Sequence, residues 1–95
     1  MKKIRRHICF HGRVQGVGFR YTAITAAETA GVTGWVKNER DGTVTMEIQG
    51  SEEQIGQVLQ ILNEDRYIRI RSMDMQTIPV DESEKDFGVK FGGWF

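Results

Sequence analysis

Cysteine and proline each occur once in the 95 residues, and several larger signals are missing altogether. A single cysteine closes no intramolecular disulfide, so nothing requires an oxidising compartment and the cytoplasm is the expected location. No apolar run approaches the roughly 20 residues of a membrane-spanning helix, so no membrane partner is expected. The start MKKIRRHICF is basic and then briefly apolar, but His7 and His11 interrupt it and no small-residue cleavage site follows. It reads as a strand and not as a signal peptide. Net charge is missing too: thirteen basic and thirteen acidic side chains cancel. That leaves no global field to draw nucleic acid, which is not expected as a partner, and any anion site must be local. With no internal repeat and no linker, one compact domain spanning 1–95 is the expectation, working as a monomer.

What is present is periodicity. Ile4, Ile8 and Phe10 alternate with Arg5, His7 and Cys9, the period of a strand with one covered face, with Arg6 the exception. RYTAITAAETAG is rich in helix formers and ends on Gly31, a C-cap residue; Ala23, Ala26, Ala27 and Ala30 give that helix a small face for close packing on a sheet. Two strands follow around an Asp41-Gly42 turn, the second with Val44, Met46 and Ile48 on one face. Ser51 and Gln54 form a capping-box pattern, and Ile55, Val58, Leu59 and Leu62 predict an amphipathic helix over 52–64, weakened by Gly56. YIRIRSMDMQTI reads as a fourth strand whose apolar phase changes, which predicts a bulge or break near Ser72. After Pro79 and the acidic DESEKD, FGVKF supplies a short last strand with Phe87, Val89 and Phe91 in phase. The fold class is therefore α+β: a ferredoxin-like sandwich, an antiparallel sheet with two helices on one face, βαββαβ plus a short last strand. That architecture hosts many functions, so function has to come from a site.

The candidate site is GRVQGVGFRY, Gly12 to Tyr21. Gly16 and Gly18 adopt positive φ at little cost, and a loop of this kind turns successive backbone N–H groups towards one point, making a concavity for an oxyanion. It runs into a helix whose first-turn N–H groups lack intrahelical partners. Arg20 stands at that helix start, where a cation is electrostatically unfavourable unless solvent or an anion offsets it; its planar fork of donors suits phosphate. On spacing alone the signal is weak and the plainer reading is favoured, that the glycines only shape a strand-to-helix turn and Arg20 points into water, because the loop matches neither GxxxxGK[ST] nor GxGxxG. Asn38 likewise has two readings, starting the hairpin turn or presenting a carboxamide to a ligand.

GRVQGVGFR at 12–20, followed by GWVKNERDGTVTMEIQG at 34–50, closely resembles the acylphosphatase family, small hydrolases of the carboxyl–phosphate bond of acyl phosphates, and the resemblance covers essentially the whole chain. It implies a ferredoxin-like fold, a small-molecule acyl phosphate as substrate, no metal and no organic cofactor. It also implies a phosphate-binding loop of Gln15, Gly16, Val17, Gly18 and Phe19, a phosphate-binding arginine at Arg20 and a water-orienting asparagine at Asn38. The ending FGVKFGGWF departs from the family's frequent aromatic closing strand, F-x-I-x-Y, by a Gly-Gly-Trp-Phe extension. An acyl phosphate is already activated by its carboxylate leaving group, so the work is positioning water and stabilising charge on the phosphoryl oxygens. Loop N–H groups and Arg20 supply the second, and Asn38 supplies the first by accepting a hydrogen bond from water. No Ser-His-Asp pattern or carboxylate pair is evident, and this chemistry needs none.

Domains resembling this one stand at the start of larger hydrogenase-maturation proteins, which makes a non-catalytic phosphate- or carbamoyl-phosphate-binding module the first alternative. KDFGVKF is similar to the aromatic RNA-binding motif of sheets with this topology, but it follows the fourth strand instead of forming the third. His7, Cys9 and His11 share a strand face and carry metal-ligating atoms, without an evident fourth ligand. Nothing in the sequence marks Cys9 as a nucleophile, and a partly buried strand cysteine is usually inert. Met73 and Met75 are expected to pack, Trp35 to anchor the second strand in or near the core, and Trp94 and Phe95 to cover a sheet edge or hang loose.

Overall fold

A computed structural model of the chain describes residues 2–91. Its elements follow in the expected order: β1 (Ile4–Arg13), α1 (Phe19–Ala30), β2 (Thr33–Asn38), β3 (Val44–Gly50), α2 (Glu52–Glu64), β4 (Arg69–Ile78) and β5 (Phe87–Val89). The strands lie in the order β4-β1-β3-β2-β5. Alternation places Ile8 and Phe10 of β1, Val36 of β2, and Val44, Met46 and Ile48 of β3 on one face, fully buried. Against them pack Ala23, Ala26 and Ala27 of α1 and Ile55, Val58 and Leu62 of α2, in one continuous core. The alanines let α1 approach closely, and α1 ends at Gly31, whose N–H donates to the Ala27 carbonyl at 2.9 Å. The capping box at Ser51 is formed in both directions, and Gln54 Nε2 also donates to the Ala30 carbonyl at 3.0 Å, tying the start of α2 to the end of α1.

The sheet is mixed, not wholly antiparallel as expected. β1, β2, β3 and β4 pair antiparallel, but β5 runs parallel to β2, with Phe87 opposite Gly34 and Val89 opposite Val36. The direction follows from topology. β4 delivers the chain to the end of the sheet where β1 and β2 begin, so the strand that follows without doubling back runs the same way as β2.

The predicted irregularity near Ser72 is present. His11 pairs with Ser72 but Gly12 pairs with Ile70, so Arg71 is bulged out and the apolar phase of β4 changes there. A side chain at Gly12 would put its Cβ 2.2 Å from the Arg69 carbonyl oxygen, so only glycine admits this approach.

Three expectations on packing change. Met73 and Met75 lie opposite Phe10 and Ile8 but remain 41% and 42% exposed, because β4 is an edge strand with nearly all of its residues exposed. Trp35 is not a core residue: it lies on the uncovered face of the sheet, where the Lys90 ammonium sits 4.2 Å from its ring centroid. β5 ends at Val89, and Phe91 is exposed beyond it. Trp94 and Phe95 lie outside the described residues. Among the described residues, no helix is long and apolar enough to cross a membrane.

This topology gathers four chain segments at one end of the sheet: the exit of β1, the start of α1, the β2–β3 turn and the connection from α2 into β4.

Candidate active site

The loop between β1 and α1 is held at both ends by apolar anchors. Val14 and Phe19 are buried, and the Phe19 ring meets Phe10 edge-on, centroids 4.9 Å apart. Between them Gly16 (φ 72°) and Gly18 (φ 82°) occupy the left-handed region. Gly18 is the N-cap of α1 and offers no side chain, and the first turn of α1 contains no acidic residue. Gly18 therefore supplies no side-chain cap to the N–H groups at this helix start, and left-handed glycines in close succession are the kind of turn that forms an anion-binding nest. The helix dipole adds partial positive charge at the same place.

The loop is fixed to the hairpin beside it by one side chain. Gln15 Nε2 donates to the carbonyls of Glu39 at 2.7 Å and Thr43 at 2.9 Å. Both amide hydrogens are thereby used, so the donor that Gln15 can offer an anion is its backbone N–H. The hairpin closes through Asp41, whose carboxylate accepts from the Thr43 N–H at 3.0 Å and from its hydroxyl at 2.7 Å. Hydrogen bonding by the Thr43 hydroxyl and then by its N–H holds the Asp41 carboxyl below its usual range. Asn38, the last residue of β2, pairs with Val44 at the base of that turn, and its side chain makes none of the hydrogen bonds that close it.

A cavity of about 240 Å³ lies at this point, lined by Val14, Gly16, Gly18, Phe19, Arg20, Tyr21 and Asn38. The two functional side chains singled out from sequence, Arg20 and Asn38, thus share one wall with the glycine loop. Val17 lines instead a neighbouring cavity of about 380 Å³, with Arg13, Gly16, Arg66, Tyr67 and Arg69. Tyr21, 76% exposed, belongs to the first cavity and was not singled out from sequence; its only signal was its place beside Arg20 in the first helical turn.

The strand-face trio resolves differently. His7 Nδ1 lies 2.7 Å from Glu47 Oε2, and His11 Nε2 lies 2.9 Å from Asp74 Oδ2. Possible ligand atoms of Cys9, His11 and Asp74 lie within 4.8 Å of one another, so β4 supplies the third donor and His7 belongs to another pair. On the same face Arg5, which the alternation pattern placed with His7 and Cys9, is 4% exposed. Its guanidinium donates to Glu84 at 2.8 and 3.1 Å, to Gln49 at 3.0 Å and to Glu47 at 3.1 and 3.2 Å. Hydrogen bonding to Glu84, against the opposing effect of burial, raises the Arg5 pKa. Sequence reasoning could not see this network, because Glu84 comes from the loop before β5.

The acylphosphatase family model matches residues 6–89. The acylphosphatase of Bifidobacterium longum is 40% identical over 89 residues, 92% of each chain, and that of Geobacillus kaustophilus is 38% identical over the full length of both. Among solved structures, the acylphosphatase of Bacillus subtilis superposes with a TM-score of 0.83 at 27% identity, over 92% of this chain and 98% of that one. Full-length HypF, in a phosphate- and nucleotide-bound form, matches 99% of this chain but only 13% of its own, with a TM-score of 0.84 at 28% identity.

Proposed function

The chain belongs to the acylphosphatase family and hydrolyses the carboxyl–phosphate bond of acyl phosphates; we propose that it does so with the glycine loop, Arg20 and Asn38 as its working parts. The observation that carries this reading is the shared cavity of Gly16, Gly18, Arg20 and Asn38 at the start of α1. The phosphoryl group binds there, its oxygens accepting from the N–H groups of the loop 15–19 and from the Arg20 guanidinium. Donors fixed before the substrate arrives need no reorganisation as charge builds on the equatorial oxygens. Asn38, which lines the same cavity, accepts a hydrogen bond from water and aims its oxygen at phosphorus, in line with the departing carboxylate. The P–O bond to the acyl group breaks as the bond to water forms, and the proton passes to a phosphoryl oxygen. The carboxylate leaves without protonation, so no general acid is assigned.

In this reading the chain acts as a single domain, a monomer in the cytoplasm, without nucleic acid, metal or organic cofactor. The fixed loop is the reason no cofactor is assigned, since the N–H donors and Arg20 already meet the charge of the phosphoryl group.

The test is phosphate release from benzoyl phosphate, followed beside competition by inorganic phosphate. The parent turns over, and Asn38→Ala stays folded, still competes for phosphate and loses roughly a hundredfold in kcat. Near-parental turnover by folded Asn38→Ala removes Asn38 from the mechanism. Phosphate competition by a parent that shows no turnover would mark instead the non-catalytic binding module, which the HypF likeness keeps as the second reading.

A further inference from the structure

We propose that the larger cavity beside the phosphate loop is a subsite for a second anionic group on the acyl part of the substrate, so that the enzyme favours acyl phosphates of acids that carry another carboxylate or phosphate. The inference rests on the reading of the loop given above. The two cavities meet at Gly16, and among the described residues the lining of the larger one contains Arg13, Arg66 and Arg69 and no carboxylate. A phosphoryl group on the loop therefore has three further arginines on the side of Val17.

These three cations are brought together by the fold. The register shift after His11 sets Arg13, the last residue of β1, opposite Arg69, the first residue of β4. Like charges opposite one another across a strand pair are destabilising. Arg66 is added by the short connection from α2, which is firmly built. The Asp65 carboxylate accepts from the N–H groups of Tyr67 at 2.9 Å and Ile68 at 3.1 Å, and Ile68 is buried. Arg69 Nη1 donates to the carbonyls of Arg66 at 3.0 Å and Ile68 at 3.3 Å, which fixes its stem and leaves its other donors available. The Arg66 guanidinium lies over the Tyr67 ring, 5.5 Å from its centroid.

Elsewhere in the molecule Arg5 pairs with Glu47 and Glu84, and Arg6 with Glu52. Among the described residues, Arg13, Arg66 and Arg69 have no carboxylate partner. In a chain of zero net charge, three unneutralised guanidiniums around one concavity make a local field that a bound anion relieves. Val17 and Tyr67 supply the apolar wall on which the connecting carbon skeleton lies.

A matched set of substrates separates this inference from the reading beneath it: benzoyl phosphate, 4-carboxybenzoyl phosphate and the neutral 4-carbamoylbenzoyl phosphate. The parent is expected to favour the carboxylate over the carbamoyl compound by roughly five- to tenfold in kcat/KM, an advantage that shrinks as salt is raised. The double variant Arg66→Gln, Arg69→Gln loses that preference while its kcat/KM for benzoyl phosphate stays within about twofold of the parent. Should that variant fold poorly, the exposed single substitution Arg66→Glu gives the same reading with opposite sign, disfavouring the carboxylate compound. Absence of the preference in a parent that hydrolyses benzoyl phosphate, or its survival in the variants, overturns the inference alone. Failure to hydrolyse any of the three overturns the reading of the loop and this inference with it.

Discussion

On the uncovered face of the sheet the Arg5 guanidinium is surrounded by Glu47, Glu84 and the Gln49 amide oxygen, whereas at the end where β1 stops Arg13, Arg66 and Arg69 share a cavity with no carboxylate among the described residues that line it. The first arrangement satisfies a buried charge within the chain. Gln49 in turn exchanges hydrogen bonds with the backbone of Asp81, at 2.8 and 3.0 Å, so the network fastens the loop before β5 to the centre of the sheet. In the second, Arg13, Arg66 and Arg69 have no carboxylate partner among the described residues, and the N-cap of α1, Gly18, offers no side chain to the first turn. An internally complete set of charges holds the fold, and an incomplete one of single sign awaits a ligand. Substitutions in the two regions should therefore fail in different assays.

The largest effect is expected at Arg20. Lysine keeps the charge but not the planar pair of donors, so Arg20→Lys should lose roughly a hundred- to a thousandfold in kcat/KM for benzoyl phosphate. Its urea midpoint should stay close to the parent's. A large loss of stability with activity preserved would place Arg20 with Arg5 and dissolve the contrast.

Glu47→Gln should behave in the opposite way, lowering stability by about 2 kcal/mol with kcat unchanged, because it leaves the buried Arg5 short of one counter-charge. Burial pushes the Glu47 carboxyl up, but hydrogen bonds from His7 and Arg5, with the charge of Arg5, outweigh it and leave the group below its usual 4.5. The folded protein therefore holds this proton less readily than the unfolded chain. The contribution of Glu47 is complete above that usual value and disappears as pH falls through the lowered folded one. Urea midpoints measured near neutrality and again at about pH 4 should converge between parent and Glu47→Gln as acid is added. Asp41 and Asp81, held low by the hydroxyls of Thr43 and Ser83, titrate in both proteins, so the difference isolates Glu47. A constant gap between the two at all pH values would show that Glu47 acts by packing alone.

The two regions were not equally legible in the sequence. Loop 15–19 and Arg20 are consecutive, and glycine spacing with a following helix is a local signal; the family resemblance then added Asn38. The buried Arg5 network joins β1, β3 and the loop before β5, and alternation could report only that Arg5 shares a face with His7 and Cys9. The direction of β5 was missed because a three-residue strand carries no record of its partner. Trp35 was misplaced for a similar reason: alternation gives two faces, and its size suggested the inner one, while Val36 is the residue that is buried. The second arginine cavity depends on a one-residue shift across from Gly12. The change of phase near Ser72 announced that shift, but not which side chains it would bring together.

The smallest effect sharpens the contrast at the level of the backbone. Gly18 at the site and Gly56 on the exposed side of α2 both have open space where a Cβ would project, with nothing within 4 Å. They differ in conformation, since Gly18 has φ 82° and Gly56 is an ordinary helical residue. Gly56→Ala should raise stability by roughly 0.5–1 kcal/mol, because alanine restricts the unfolded chain and suits a helix interior. Gly18→Ala should lower it by about 1 kcal/mol, the cost of holding an L-residue in the left-handed region. Opposite shifts in urea midpoint show that the loop glycine is required by its backbone shape and the helix glycine is not. Shifts of the same sign would mean that the conformation at Gly18 carries no constraint, and the nest-like turn of the loop would need another cause.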